Sequence, residues 1–284
     1  MKIAILGSGN MGGAIAKGLS QGSIVKASDI MCTAKSTATL QKIQEEVPGI
    51  NTAQCNREAV KDADVIIVAV KPWFVAAVLD EIRESIDYSR QMIISVAAGV
   101  SFAQLKEYLQ IDNPVLFRVI PNTAISIRCS MTFVSSCNAT AQQEELVVAL
   151  FDELGCAMLV EESQLAAGTA LASCGIAYAM RYIRAATEGG VELGFRPAVA
   201  QKIVSYTVQG AAQLLLQSGA NPETEIDKVT TPGGITIKGL NEMEHCGFSS
   251  AVIKGLKASK SSFVLSEANN KSRLHPVQPA FVIK

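Results

Sequence analysis

Short apolar runs alternate with amphipathic stretches over the first 160 residues of the chain. One run, VIIVAV at residues 65–70, is apolar without interruption, which is typical of a strand buried on both faces of a sheet. An alternation of strands and helices predicts a parallel sheet covered by helices. The predicted strands are residues 2–6, 30–33, 65–70, 92–96, 115–120, 131–135 and 157–160.

Helical patterns lie between these runs, at residues 11–19, 73–86 and 141–154. Ser101 and Gln104 have the spacing of a capping box, which predicts a further helix that ends near Leu109. Gly155 follows the pattern of residues 141–154 and predicts the end of that helix.

The pattern changes after residue 161, where the predicted strands end. Residues 164–193 are rich in Ala and Gly and predict a helical region broken near Gly175. Pro197 predicts the first turn of a long helix reaching about residue 217, and two shorter helices are predicted at 221–227 and 237–244. The predicted organisation is α/β: a Rossmann-type, doubly wound, mostly parallel sheet at 1–161, then an all-helical substrate-binding and dimerisation domain at 162–284.

Composition excludes several classes of protein. Of the 284 residues, 49% are hydrophobic and 18% charged, and the net charge is −1. Without a basic block, we expect neither a nucleic-acid nor a membrane partner. The apolar run at the N-terminus is too short for a signal peptide, and the seven scattered cysteines contain no CxxC, so we expect a reducing, cytoplasmic location. No His/Cys/Asp/Glu cluster has metal-ligand spacing, so no metal is expected.

A GxGxxG motif, Gly7 to Gly12, lies directly between the first predicted strand and the first helix. In this context the first glycine forms a tight turn, the second (Gly9) lets the backbone approach a pyrophosphate, and the third lets the helix pack on the strand. The following helix offers free N–H groups to phosphates. The motif predicts a dinucleotide site.

The end of the second strand decides between NADPH and NADH. If the strand is 30–33, it exits into Ala34, Lys35 and Ser36, which offer a cation and a hydroxyl to a 2′-phosphate and favour NADP(H). If the strand is instead 24–29, Asp29 lies at the exit and NAD(H) is favoured. A solvated helix start is the structural alternative for Lys35 and Ser36.

Ligands of open α/β sheets bind beyond the carboxyl ends of the strands. Three further segments leave predicted strands at that edge: Ala69-Val70-Lys71-Pro72, Val96-Ala97-Ala98 and the segment containing Asn122. Small residues at 97–99 would let a nicotinamide approach the backbone. We expect all three segments to contribute to the cofactor site.

Two consecutive glycines, Gly233 and Gly234, precede a predicted helix. Consecutive N–H groups at a helix N-terminus form an anion cradle, and the carboxylate of a small substrate would suit it. A plain Pro-Gly turn between two helices is an equal alternative on this segment alone.

Taken in order, GSGNMG, AVKP, AAGVS, RVIPNTA and VTTPGGITIKGLNEMEHCGF resemble the pyrroline-5-carboxylate reductase family over nearly the whole chain. The resemblance implies hydride transfer from NAD(P)H to 1-pyrroline-5-carboxylate, giving L-proline, by a homodimer that assembles into larger rings such as decamers. It implies that Thr236 acts near the ring nitrogen as the catalytic residue. The family's substrate positions fall on Glu162, Thr231, Gly233, Gly234, Ile235 and Thr236. Its cofactor contacts fall on Leu6, Gly7, Ser8, Gly9, Asn10, Met11, Asn56, Ala69, Val70, Lys71, Pro72, Val96, Ala97 and Ala98.

Two of these residues also have a structural interpretation. Asn56 is placed to be the N-cap of a helix at 57–62, and Glu162 is placed as an acid in the first turn of a helix, where the dipole favours it. The chain departs from the family at Ala124, where PNTP is common, and around Gly175, where SGSGPAY is common. The second departure predicts a helix that is less sharply broken.

Two other functions compete with this one. A β-hydroxyacid dehydrogenase has a similar first domain, but that family expects a lysine in the first long helix of its second domain. Residues 164–193 contain Arg181 and Arg184 and no lysine. The second competitor is a non-catalytic dimer that only senses the dinucleotide.

Overall fold

The computed structural model describes residues 1–272, with side chains as far as residue 268. An eight-stranded sheet has the order β3-β2-β1-β4-β5-β6-β7-β8. All neighbouring strands are parallel except β6 and β7. The strands are β1 Ile3–Leu6, β2 Ile30–Thr33, β3 Asn51–Ala53, β4 Val65–Val68, β5 Met92–Ser95, β6 Leu116–Ile120, β7 Ser130–Cys137 and β8 Gly155–Leu159.

Twelve α-helices occur in the described residues. They are α1 Asn10–Ser20, α2 Thr37–Glu46, α3 Asn56–Lys61, α4 Pro72–Ile82, α5 Phe102–Leu109, α6 Ala141–Asp152, α7 Leu165–Gly168, α8 Gly175–Glu192, α9 Pro197–Ser218, α10 Pro222–Val229, α11 Ile235–His245 and α12 Phe248–Ser272. Helices α1, α2 and α6 pack on one face of the sheet, and α3, α4 and α5 pack on the other. Each side has its own apolar core, so the central strands are buried on both faces, as the uninterrupted run in β4 predicts.

The predicted Rossmann-type sheet is confirmed, with three corrections to its elements. β3 is absent from the prediction because its sequence, NTA, contains no apolar run. β4 ends at Val68, two residues before the predicted end, so that the next two residues lie in the following loop. Gly155 does not end α6: it begins β8 with φ +144°, and a Cβ there would overlap the backbone of Ser130 on β7.

The helical half contains two further differences. The predicted break near Gly175 is a π-helical segment, Thr169–Cys174, which continues directly into α8. The long helix α12 is absent from the prediction because serines interrupt its apolar pattern. The predicted start of α9 is confirmed, with Pro197 in its first turn.

The described residues divide into two compact units, one of Met1–Ser173 with the residues from Ser259 onwards and the other of Cys174–Ala258. The last strand ends at Leu159, close to the predicted domain boundary at residue 161, while the compact units separate after Ser173. The boundary at 161 stays a prediction.

The second unit has very little core of its own. No residue of α8 is buried, and only Ala200 is buried in α9. Large apolar side chains are open to solvent on both helices and after them, with Leu193 82% and Leu216 84% exposed. None of the helices in residues 1–272 is both long enough and apolar enough to cross a membrane.

Candidate active site

The loop from β1 into α1 is held against the end of β2 by three hydrogen bonds to one acceptor. The backbone N–H groups of Gly7 and Ser8 donate to the carbonyl of Thr33 over 3.1 and 2.9 Å, and the Ser8 hydroxyl donates to the same oxygen over 3.0 Å. Gly7 has φ +97°, a conformation that favours glycine. The tight turn predicted for the first glycine is therefore present.

The three glycines of the motif differ in what surrounds them. A Cβ on Gly7 would lie 2.9 Å from the Ala69 carbonyl oxygen, and a Cβ on Gly12 would overlap the Gly7 carbonyl oxygen. The fold itself requires both of these glycines. Gly9 has φ −71°, which any residue adopts, and a Cβ there would meet nothing within 4 Å in the part of the chain that the structure describes. The space above Gly9 is open, as the approach of a pyrophosphate requires.

Helix α1 begins beside this open space without a side-chain cap. Its first intrahelical hydrogen bond runs from Gly13 N–H to the Gly9 carbonyl at 2.7 Å. The N–H groups of Asn10, Met11 and Gly12 precede that bond and have no acceptor within the helix. With the positive end of the helix dipole they form an anion site, so these residues fit the phosphates of a dinucleotide.

The strand register aligns the predicted cofactor segments at one edge of the sheet. Leu6 pairs with Thr33 on one side and Val68 on the other, and Val68 pairs with Ser95. The four strands therefore end level, and the residues after them lie at the same edge, as predicted. The strand order reverses beside β1, which is where dinucleotides bind in doubly wound sheets.

The second strand is Ile30–Thr33, as predicted, and its bounds fix which residues lie at its exit, near the predicted ribose 2′ position. Asp29 ends a short 3₁₀ turn before β2 and so lies at the entrance of the strand. Lys35 and Ser36 follow the exit, at the cofactor edge, and the Ser36 side chain makes no capping hydrogen bond to α2. The alternative strand at 24–29, with Asp29 at the exit, is wrong.

Asn56 is not the N-cap of α3. Cys55 occupies that position, and Asn56 is the first residue of the helix. The Asn56 side chain accepts a hydrogen bond from the Thr33 hydroxyl at 2.6 Å and donates one to Glu81 at 2.9 Å. It therefore ties the start of α3 to the end of β2 and to α4.

Two further predicted cofactor residues accept hydrogen bonds within the turns that follow their strands. Lys71 is the N-cap residue of α4, and its carbonyl accepts from Phe74 N–H at 2.9 Å. Asn122 is buried, and its side-chain oxygen accepts from Ala124 N–H at 2.9 Å. Cofactor contact by either residue stays a prediction.

Glu162 makes contacts that its sequence position does not indicate. Its carboxylate accepts from the N–H of Phe102, the first residue of α5, at 2.8 Å, and from the guanidinium of Arg118 at 2.7 Å. Glu162 lies in the first turn of a 3₁₀ helix, as predicted, and its carboxylate also stabilises the N-terminus of α5. Since α5 follows the loop that leaves β5, Glu162 anchors the helix that begins after the predicted cofactor segment 96–98.

Arg118 is the residue that sequence reasoning missed. It lies in β6 with only 2% of its surface exposed, between Glu162 and Glu267 of α12, which accepts from it at 2.5 Å. Its Nε is buried and has no hydrogen-bond partner among the side chains and backbone that the structure describes. A charged residue inside the apolar strand LFRVI is a signal that could have identified it, because an arginine is almost never fully buried unless it is paired.

The PGGxT segment lies in the second unit and forms a tight turn. Gly234 N–H donates to the Thr231 carbonyl at 2.9 Å, and Gly233 has φ +72°, with a proline before it. This is the pattern of a type II turn. The expectation that both glycines offer free N–H groups is wrong for Gly234, because the turn uses its N–H.

Helix α11 follows this turn immediately, with Gly234 as its N-cap and no capping side chain. Ile235 and Thr236 are its first two residues, so their N–H groups have no acceptor within the helix. Ile235 is 88% exposed. The available donors are therefore shifted by one or two residues from the predicted glycine pair.

The one histidine among the described residues does not point to catalysis. His245 ends α11 and is exposed, 3.8 Å from Glu242, and His275 lies outside the described residues. Within residues 1–272, no group of three His, Cys, Asp or Glu residues is placed to hold a metal ion.

Two family models match the chain. One, described as pyrroline-5-carboxylate reductase dimerisation, covers residues 162–263. The other, described as NADP oxidoreductase, coenzyme F420-dependent, covers residues 2–99, which include the glycine turn and the exit of β2. NADP(H) is accordingly the cofactor that the chain uses, and the second domain mediates oligomerisation.

Curated relatives match over most of the chain. Pyrroline-5-carboxylate reductase 1 of Dictyostelium discoideum is 41% identical over 90% of this chain, which spans only 48% of that longer protein. Pyrroline-5-carboxylate reductase 2 of the same organism is 37% identical, over 95% of this chain and 96% of the relative. The structure of a pyrroline-5-carboxylate reductase from Coxiella burnetii superposes with a TM-score of 0.87 at 27% identity, covering 93% of this chain and 98% of the other. The chain belongs to the pyrroline-5-carboxylate reductase family.

Proposed function

We infer that this protein reduces the C=N bond of 1-pyrroline-5-carboxylate with NADPH to give L-proline, the last step of proline biosynthesis. The observation that carries the proposal is the open space above Gly9, at a sheet edge where four strand ends align, in a chain that matches this family over nearly its whole length. A β-hydroxyacid dehydrogenase is disfavoured by the same family match.

The cofactor supplies the hydride, and the protein supplies binding and orientation. Gly9 and the first N–H groups of α1 would hold the pyrophosphate, and Lys35 with Ser36 would bind the 2′-phosphate and give a preference for NADPH over NADH. The small residues Ala97 and Ala98 would lie against the nicotinamide. Glu162 would keep the loop carrying them in place through its hydrogen bond to the start of α5.

The substrate carboxylate would bind at the N-terminus of α11. The donors proposed are the N–H groups of Ile235 and Thr236, with Gly233 bending the chain ahead of them and Thr231 closing the turn. The Thr236 hydroxyl would hydrogen-bond the ring nitrogen as hydride arrives. A cyclic iminium is already electrophilic, so positioning, worth about 7–11 kcal/mol at its best, is the main requirement of this reaction.

Ile235→Pro tests the carboxylate site at a single N–H group. Proline is favoured in the first turn of a helix, and Gly234 already has the extended conformation (φ −66°, ψ 172°) that a residue before proline needs. The change should leave α11 intact and remove one charge-assisted hydrogen bond of about 1.5–3 kcal/mol. We expect kcat/KM for pyrroline-5-carboxylate to fall about 10- to 150-fold.

Ile235→Ala is the matched control, because it shortens the same side chain and keeps the N–H. It should retain near-normal kcat/KM, and both variants should bind NADPH like the parent protein. Equal kcat/KM in the two variants would place the carboxylate elsewhere. A parent protein that binds NADPH without reducing the imine would support the non-catalytic sensor instead.

The second unit is proposed to form a two-fold homodimer through α8 and α9, with dimers assembling into a decamer. Its support is the near absence of buried residues in these helices, which leaves their apolar side chains without a core of their own. We further propose a cytoplasmic location, in keeping with the seven free cysteines. A monomer in light scattering at micromolar concentration would contradict the dimer.

A further inference from the structure

The ammonium group of Lys35 lies over an aromatic ring at the cofactor edge. Its Nζ is 5.2 Å from the centroid of the Phe74 ring, inside the range of about 6 Å for a cation–π contact. Phe74 lies in the first turn of α4, where its N–H is bonded to the Lys71 carbonyl. The ring therefore belongs to an anchored helix start, and its face is turned to the flexible lysine.

The contact constrains the lysine without neutralising it. An ammonium group carries three N–H donors, and a ring covers it from one side only, so donors stay available for a phosphate. A carboxylate in the same place would cancel the charge that a 2′-phosphate needs. Phe74 is also 46% exposed, which is high for a phenylalanine whose only role is to fill a core.

We propose that Phe74 is a positioning residue for cofactor specificity: it holds the Lys35 ammonium at the exit of β2 and thereby strengthens the preference for NADPH over NADH. The inference rests on the proposed role of Lys35, and it adds a residue from a different strand exit to that role. NADH has no 2′-phosphate, so its binding is independent of where the ammonium lies.

The test compares dissociation constants for NADPH and NADH by calorimetry on the full chain. Phe74→Leu removes the ring and keeps an apolar side chain, so Kd for NADPH should rise about two- to fivefold, the change that corresponds to about 0.5–1 kcal/mol for an exposed cation–π contact. Kd for NADH should stay the same. Phe74→Tyr keeps a ring face and should retain the selectivity of the parent protein.

Trp73→Leu is the matched control. Trp73 is the neighbouring aromatic residue and is 65% exposed, and its ring centroid lies 6.1 Å from that of Phe74. Its loss removes a similar apolar surface beside the same strand exit and should leave the ratio of the two dissociation constants unchanged. A change of the ratio equal to that of Phe74→Leu would overturn the inference.

A double-variant cycle with Lys35→Met separates the two proposals. In the Lys35→Met background, Phe74→Leu should have no further effect on NADPH binding. If Lys35→Met alone leaves the ratio unchanged, the role of Lys35 is wrong and the inference is overturned with it. If Lys35→Met lowers the selectivity but Phe74→Leu does not, or acts equally in both backgrounds, Lys35 keeps its role and only the inference about Phe74 is overturned.

Discussion

Gly9→Ala separates ligand approach from folding within the glycine turn. The added methyl group would meet no atom of the described residues within 4 Å, and the backbone at φ −71° accepts alanine. Two effects on stability oppose each other. Alanine is a poorer N-cap than glycine, by roughly 0.5–1 kcal/mol, while the stiffer unfolded chain returns about 0.4–1 kcal/mol. The free energy of unfolding should therefore change by less than about 1 kcal/mol.

Cofactor binding should respond much more strongly to Gly9→Ala. If the pyrophosphate lies against this backbone, the methyl group occupies its place, and overpacking of that kind costs about 1–3 kcal/mol. Kd for NADPH should rise about 5- to 150-fold, and Kd for NADH should rise by the same factor because both cofactors share the pyrophosphate. Fluorescence titration of the reduced cofactors measures both constants.

Two neighbouring glycines serve as controls for this experiment. A Cβ on Gly13 would lie 3.5 Å from the Ser8 carbonyl oxygen, an ordinary contact, so Gly13→Ala should leave Kd near normal and stabilise α1 by about 0.5–1 kcal/mol. Gly12→Ala should instead destabilise the protein, because its Cβ overlaps the Gly7 carbonyl oxygen. Parent-like NADPH binding by Gly9→Ala would refute the placement of the pyrophosphate, and severe unfolding would refute the account of the turn.

Further predictions concern other parts of the chain. Lys35→Asp should weaken NADPH binding with little loss for NADH in the same titration, and equal effects on both would remove this residue from specificity. In steady-state kinetics, Thr236→Ala should lower kcat/KM for the imine about 2- to 150-fold, which corresponds to a lost hydrogen bond of about 0.5–3 kcal/mol. Gly234→Val should lower kcat/KM further with an unchanged cofactor Kd, because a Cβ there would lie 2.5 Å from the hydroxyl of the first residue of the turn. Burial raises the pKa of the Cys32 thiol from 9.0 to about 11. The contribution of this neutral thiol to the free energy of unfolding is therefore complete below pH 9.0 and is lost as pH rises towards 11. Iodoacetamide at pH 8 should leave Cys32 unmodified in the native protein, and rapid alkylation at that pH would contradict this. Glu267→Gln removes a charge beside the buried guanidinium of β6 and should lower the free energy of unfolding in urea by roughly 1–3 kcal/mol, whereas an unchanged midpoint would show that the pair contributes nothing.

The cofactor half of the site could be predicted because its signals are local. The glycine turn, the exit of β2 and the strand ends all follow from apolar runs and the rule that parallel strands end at one edge. β3 could not be predicted because a short polar edge strand has no apolar periodicity. Gly155 was assigned to a helix end because a glycine required by a close strand pairing looks the same in sequence as one required by a helix end.

The polar contacts could not be predicted because they join distant parts of the chain. Asparagine is favoured at N-cap positions, yet the side chain of Asn56 contacts Thr33 and Glu81, 23 and 25 residues away. Glu162 reaches Phe102 across 60 positions. Helix-start preferences describe only neighbours, so they assign such residues to the nearest helix. The hydrogen bond of the Gly234 N–H could not be predicted for a related reason. The sequence does not show that the turn uses this donor internally.

The pairing of Arg118 with Glu267 has a consequence for the order in which a new chain can fold. These residues are 149 positions apart in sequence, and both belong to the first compact unit. During synthesis, β6 leaves the ribosome long before α12 exists, at a usual pace of about 5–20 residues per second. For several seconds the guanidinium has Glu162 at most as a carboxylate partner. The nucleotide-binding half of the protein is thus complete only after α12 has been made.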